Sequence, residues 1–292
     1  MTLPRSAPPP SATAPRRAAP PGACDTHVHI LGGTSDGHLS PDRVEDPAEG
    51  WSYGDYLSAY RAQMAALGIE RTVVVQSTLY GTDNTLTARA IDDLGRDCAR
   101  GIGLVTDDAT DGDLDHLSTA GFEGVRLNYV HGGVLSWDGV EAMAPRLADY
   151  GLHVQMLLMA HRHLEPLAPR IAAMPVPVVL DHIAWPDVTA GLEEPGFRCL
   201  LSLMEQGKVW VKLSGLYRHC AAPFDAVDGH VAALLEANPL RCLWGSDWPQ
   251  IMLNGAARAE PGALLDAFDR VCPNDDVRQA VLVDNPERLY GF

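Results

Sequence analysis

The sequence predicts a single-domain α/β protein, a (β/α)8 TIM barrel, and three observations carry that prediction. After Gly22, eight short β-branched or apolar runs centre near His27, Val74, Gly103, Arg126, Val154, Val179, Val211 and Leu243. They lie about 23 to 47 residues apart, the spacing of a strand followed by a returning helix. Helical patterns fill most of the intervals, and 292 residues with 46% hydrophobic content can enclose one large core. A doubly wound open sheet is the alternative, but it would want a Gly-rich phosphate turn after its first strand, and none is present.

The elements follow in order. Residues 1–22 hold seven prolines and three arginines without apolar periodicity, which reads as an extended or disordered arm before a barrel domain spanning 23–292. Arg16-Arg17 is followed by Pro20-Pro21 and not by an apolar h-region, so a cytoplasmic location is expected. In the first strand His27 and His29 are two apart and point to the same side, with Asp25 below them. Residues 31–54 are too irregular for one turn and are expected to fold over the strand ends as a loop. Leu57, Tyr60, Met64 and Leu67 follow helical spacing up to Gly68, a good C′ residue. Asp83 or Asn84 can cap a helix carrying Leu86, Ala90, Ile91 and Leu94. Later helices are expected over about 137–150, 163–173, 196–206, 224–237 and 262–271, with His116, Glu141 and His230 at solvated helix positions. Asp284-Asn285-Pro286 caps a terminal turn.

Net charge is −16, from 38 acidic and 22 basic residues, which argues against nucleic-acid or anionic-membrane partners. No apolar run approaches the roughly 20 residues that cross a bilayer. Six scattered cysteines without a C-x-x-C pair fit reduced thiols better than a disulfide framework or a zinc knuckle. Association into a homo-oligomer stays open.

A TIM barrel places its active site at the C-terminal strand ends. Those ends offer His27 and His29, then Gln76 to Thr78, Arg126, Asp181-His182, Lys212 with Arg218, and Asp247. Each has a plainer reading. His182 can be a core histidine, Asp247 a turn cap, Arg126 the ion-pair partner of Asp25 or Asp181, Lys212 a surface or inter-strand pair, Tyr129 and the tryptophans packing. Those readings do not predict an H-x-H pair, a strand-end His and a strand-end Asp at one rim. Imidazoles so placed can bind a metal, polarise a carbonyl or shuttle protons.

The motifs D-T-H-V-H at strand 1, D-H at strand 6 and W-G-S-D-W-P at strand 8 resemble the amidohydrolase superfamily of TIM-barrel hydrolases. V-V-Q-S-T-L-Y-G-T-D-N, G-V-R-L-N-Y-V, V-K-L-S-G-L-Y-R and V-D-N-P-E-R-L-Y are similar to the branch containing 2-pyrone-4,6-dicarboxylate lactonase and sugar-acid lactonases, a likeness running from about Gly22 to Phe292. The resemblance implies hydrolysis of a lactone, with Asp247 as base and His27, His29 and His182 around the carbonyl. Thr78, Arg126 and Arg218 fall where that lactonase binds substrate, and Lys212 and Gln76 are further candidates. The implied partner is a small anionic lactone, whose carboxylate needs local cations in so acidic a protein. Gly132 stands where the dicarboxylate lactonase has another arginine, so the acid itself stays open among sugar-acid lactones, pyrone dicarboxylates and muconolactones, as does lactone isomerisation.

Metal-dependent relatives usually add a fifth-strand histidine, and binuclear ones a carbamylated lysine on strand 4. Here strand 4 presents Arg126, which cannot ligate a metal, and the strand-5 face of His153, Gln155, Leu157 and Met159 has an apolar tip. No cofactor is therefore favoured. The alternative is one divalent cation such as zinc on His27, His29, His182 and Asp247, with His161 as an outside helper, in a mononuclear amidohydrolase or decarboxylase. A non-catalytic sugar-acid-binding barrel is the third reading.

Overall fold

The structure is a computed structural model that describes residues 3–130 and 132–292; the first two residues of the expected arm lie outside the described residues. Eight strands run parallel in chain order: β1 (Cys24–Val28), β2 (Arg71–Val75), β3 (Ala99–Gly103), β4 (Phe122–Asn128), β5 (His153–Leu157), β6 (Val178–Leu180), β7 (Val209–Leu213) and β8 (Cys242–Trp244). Every expected strand centre falls within one of them. The ring closes just past β8, where the Asp247 amide donates to the His27 carbonyl at 2.9 Å and the His29 amide to the Trp248 carbonyl at 2.7 Å. Closure excludes the open doubly wound sheet.

Strand alternation sorts the side chains. Val125, Leu127, Val154, Met156, Val211 and Leu213 pack outward into the core shared with the helices. The residues between them, Arg126, Gln155 and Lys212, turn to the interior and are buried there. A second apolar cluster, including Val73, Val75, Ile102, Val179, Trp210 and Leu243, closes on Tyr290 of the terminal helix. His153 joins that end, its ring 5.5 Å from that of Tyr290.

The helices are α1 (Tyr53–Leu67), α2 (Thr85–Leu94), α3 (Asp111–Thr119), α4 (Trp137–Asp149), α5 (Glu165–Ala172), α6 (Pro195–Glu205), α7 (Asp228–Ala237), α8 (Pro261–Val271), α9 (Asp275–Gln279) and α10 (Asn285–Tyr290). α1 starts in a Ser52–Asp55 capping box and ends at Gly68, whose φ of 77° is the left-handed conformation glycine supplies. Asp83, not Asn84, caps α2, accepting from the Thr85 amide at 3.1 Å. Asn84 brackets Leu104 instead, with bonds of 2.8 and 2.9 Å to its carbonyl and amide. α3 buries only Leu114 and Leu117, too short an apolar face to mark a helix in the sequence. α5 and α7 begin later than expected, after a π-turn over Ala160–Leu164 and a 3-10 turn over Asp225–Val227. Asp284 makes no side-chain cap. His230 corrects the reading of a solvated position: it is buried, its ring 4.6 Å from that of Phe197.

Residues 3–22 form neither helix nor regular strand, as a proline-rich segment short of amide donors must. They are nonetheless bonded along their length. The Ser6 amide donates to the Asp46 carbonyl at 2.9 Å, the Asp46 amide to the Pro4 carbonyl at 2.8 Å, and the Ala19 amide to the Leu67 carbonyl at 2.9 Å. Thr13 links Gln63 of α1 to Gly262 of α8. The arm is thus a strap from the base of α1 up to the loop 31–52. All six cysteines are free, and no helix among the described residues is long and apolar enough to cross a membrane.

Candidate active site

The backbone bonds that close the ring also assemble the site. They set Asp247 beside the end of β1, with one carboxylate oxygen 3.7 Å from Nε2 of His27 and 3.7 Å from Nε2 of His29. Its other oxygen lies 3.8 Å from Nε2 of His182, which follows β6. The His27 ring is 5.1 Å from His29 and 4.8 Å from His182, and all four side chains are buried. Unusual backbone holds them. His182, Ile183, Ala184 and Trp185 take φ values of 54°, 50°, 57° and 43°, and Asp247 takes 56°. Left-handed conformations cost a non-glycine residue about 1–2 kcal/mol each, so packing must enforce them. Two glycines make the room: a Cβ on Gly245 would lie 2.8 Å from the His27 Cβ, and one on Gly215 2.8 Å from the His182 ring.

Neighbours of Nδ1 set the tautomers. His29 Nδ1 is 2.8 Å from the Val75 carbonyl, which only accepts, so the proton sits on Nδ1 and Nε2 carries a lone pair. His27 Nδ1 is 3.2 Å from the Asp181 carboxylate, which favours the same tautomer. His182 Nδ1 faces the Ser214 hydroxyl at 3.0 Å, a group that can donate or accept. Burial pushes His29 and His182 down to about 4 and His27 well below the ordinary imidazole value, so all three are neutral at pH 7.

Asp247 is gripped on one side. Its Oδ2 accepts from the Tyr217 hydroxyl at 2.6 Å and from Arg218 at 2.9 and 3.1 Å. Burial alone would raise its pKa, but Arg218 foremost, followed by the imidazoles, outweighs burial and holds the carboxyl well below the usual carboxylate range. Arg218 donates as well to the Met252 and Ile251 carbonyls, and its guanidinium lies over the Trp185 ring. The structure therefore places Arg218, expected at the substrate, against the carboxylate itself.

Beneath the imidazoles lies a charged floor. Lys212 is wholly buried and donates to the Thr26 carbonyl at 2.7 Å and to Gln155 at 2.6 Å. Burial brings it down to about 8, with Asp181 opposing. Asp181 lies 3.5 Å from Arg126. Burial would raise the Asp181 pKa, but His27, Lys212 and Arg126 outweigh it and keep the group ionised. Asp25 is deeper still, accepting from the Ser246 amide and hydroxyl, and burial raises it to about 6.

Of the expected substrate-binding residues, Arg126 and Thr78 line an open cavity of about 340 Å³ at the barrel mouth, walled in part by the loop 31–52. Gln76 and Lys212 spend their side-chain hydrogen bonds inside the protein, on Gly81, Asp83 and Thr87 and on Thr26 and Gln155. Neither reaches open space. His161 lies in the π-turn packed on α6 and is not among the groups around Asp247. Sequence reasoning assigned no site role to Tyr217 or Ser214, and Asp181 entered it only as a strand-end residue and an ion-pair partner for Arg126. A tyrosine inside an apolar motif reads as packing until its hydroxyl is seen on a carboxylate.

The donor set fits one divalent ion. His27 Nε2 has no hydrogen-bond partner, the His29 Nε2 lone pair is free, and both face one oxygen of Asp247. Imidazoles whose Nδ1 sites face acceptors and whose Nε2 lone pairs meet beside a carboxylate suit a mononuclear site. His27, Asp181 and His182 form a second buried cluster whose ligand atoms also lie close together, sharing His27 with the first.

Known proteins agree with this architecture. The chain is 35% identical over 292 residues to 4-sulfomuconolactone hydrolase of Rhizobium radiobacter, covering 97% of this chain and 95% of that protein. It is 34% identical over 286 residues to 2-pyrone-4,6-dicarboxylate hydrolase of Comamonas testosteroni, covering 92% and 90%. The crystal structure of an Agrobacterium tumefaciens protein in its apo form superposes with a TM-score of 0.79 at 25% identity, over 97% of this chain and 98% of that one. The amidohydrolase family model matches residues 24–292. With its closed barrel and with the strand-end histidines facing Asp247, the chain belongs to the amidohydrolase family of hydrolases.

Proposed function

We propose that this protein hydrolyses the ring ester of a small carboxylated lactone with water activated at Asp247. The observation that carries the reading is a carboxylate fixed on one side by Tyr217 and Arg218, leaving Oδ1 toward the His27 and His29 lone pairs. A water here donates one O–H to Asp247 Oδ1 and the other to one of the two imidazole lone pairs, and gives the first proton to Asp247 as it attacks the carbonyl. His182 is the imidazole of the three whose tautomer an acceptor does not fix. With the Ser214 hydroxyl donating to Nδ1, its Nε2–H points at the developing oxyanion. Asp247 then returns the proton to the departing ring oxygen. Arg126, whose Nε has no partner, holds the substrate carboxylate.

Base catalysis contributes about 10²–10⁴-fold and one oriented oxyanion donor about 10²–10³-fold, sufficient for an activated ester and thin for an amide. The tautomers of His27 and His29 support a second reading, one divalent cation held by those residues, Asp247 and His182. Such an ion would polarise the carbonyl and acidify a bound water. A lactone panel followed by pH indicator, on wild-type and Asp247→Asn protein with and without chelator, tests both. We expect acid release by the wild type and a loss of about 10²–10⁴ in kcat for Asp247→Asn with the fold retained. Near-normal turnover by that variant refutes the reading. Activity lost to chelator and restored by a divalent salt moves the assignment to the one-metal enzyme.

A further inference from the structure

We propose that the lactone accepted here carries a hydrocarbon body and not a sugar's array of hydroxyls, selected by the cavity beside Arg126. The inference rests on the lactonase reading and narrows its substrate. Arg126 belongs to both regions, reaching Asp181 in the floor and lining the cavity above. Beside polar Ser40, Asp42, Arg43, Thr78 and Asn128, five apolar side chains line this space: Val44 from the loop after β1, Leu104 after β3, Val134 and Leu135 after β4, and Met252 after β8. Four separate connections thus contribute hydrocarbon to one space.

Several polar groups of the same wall make contacts within the protein. Ser40 Oγ accepts from the Asp42 amide at 3.2 Å. Arg43 donates to Asp46 at 2.7 Å and to the Ser40 carbonyl at 2.9 Å. Thr78 sets its hydroxyl toward the Met252 sulfur at 4.0 Å, and Asn128 is already partnered. A polyhydroxylated lactone would leave its hydroxyls against Leu104, Val134, Leu135 and Met252, each losing its water without gaining a partner. A planar or alkyl-substituted ring would instead exchange apolar wall for apolar ligand, its carboxylate paired with Arg126.

Initial rates with muconolactone and 2-pyrone carboxylates, set beside galactono- and glucono-lactones, give the first test. We expect kcat/KM at least tenfold higher for the hydrocarbon lactones; equal or inverted preference overturns the inference and leaves the lactonase reading standing. The double variant Val134→Thr, Met252→Gln keeps side-chain size and adds polar atoms. It should lower kcat/KM for the hydrocarbon lactones about tenfold while its melting temperature holds; an unchanged preference counts against the assigned wall. Competition between benzoate and gluconate for the site, read by calorimetry, separates the two claims if no lactone is turned over. Benzoate binding tighter keeps the cavity assignment while the catalytic reading falls, and equal or tighter gluconate binding ends both.

Discussion

Tyr217 and Arg218 between them occupy one oxygen of Asp247, so the carboxylate enters any reaction with its charge fixed and one oxygen available. A carboxyl held so low is ionised across the whole working range and is a weak base by itself. As the base it therefore acts through a fixed position beside the imidazoles rather than through high basicity. Tyr217→Phe removes a single donor and keeps the ring. A hydrogen bond to a charged group is worth roughly 1.5–3 kcal/mol, so we expect kcat to fall by about ten- to a hundredfold with the melting temperature little changed. Unaltered kcat would mean that Arg218 alone positions the carboxylate.

At the scale of elements, the loop 31–52 depends on contacts from elsewhere in the chain. Its Glu45 accepts from the Met252 amide at 2.8 Å, and its Asp46 exchanges two backbone bonds with the arm at Pro4 and Ser6. Arg258 reaches the arm carbonyls of Ala7 and Pro8 from the segment after β8. The arm therefore fastens the loop that walls the substrate cavity. A variant lacking residues 1–12 should fold, since β1 to β8 are untouched, but the loop must then be ordered by the substrate. We expect KM to rise about three- to tenfold with kcat much less affected, the cost of fixing a few freed side chains on binding. Equal KM would assign the strap to stability alone.

At the scale of the whole molecule, the barrel buries imidazoles in number. Burial holds His29, His182 and His219 at about 4 and His153 at about 3, below the ordinary 6.5. As pH falls through 6.5 the unfolded chain takes up protons that the fold refuses, so stability present above 6.5 is lost progressively down to about 4. Asp25 works in the opposite sense: raised to about 6, it takes its proton first in the folded state and favours folding as pH drops below that value. Four imidazoles outweigh one carboxyl. The melting temperature should decline steadily from pH 7 to pH 4.5, and a flat or rising curve would show that the histidines are charged or exposed.

Chain order and side-chain period were enough for the barrel itself. Eight β-branched runs at βα spacing admit few closed arrangements, and a two-residue period already set His27 and His29 on one side. The helices were legible where an apolar stripe or a glycine stop marked them, as at Gly68, and blurred at α3, α5 and α7, where short apolar faces and irregular first turns leave little periodicity. Asp247 and His182 could be selected as strand-end residues, but their approach to His27 is a property of closure across 220 and 155 residues of chain, which no local pattern encodes. The partners of the arginines and of Lys212 belong to the tertiary structure for the same reason. A cation in a strand states its charge; which carboxylate it meets, and whether it still faces open space, is settled only when the ring shuts and the remaining donors have been spent.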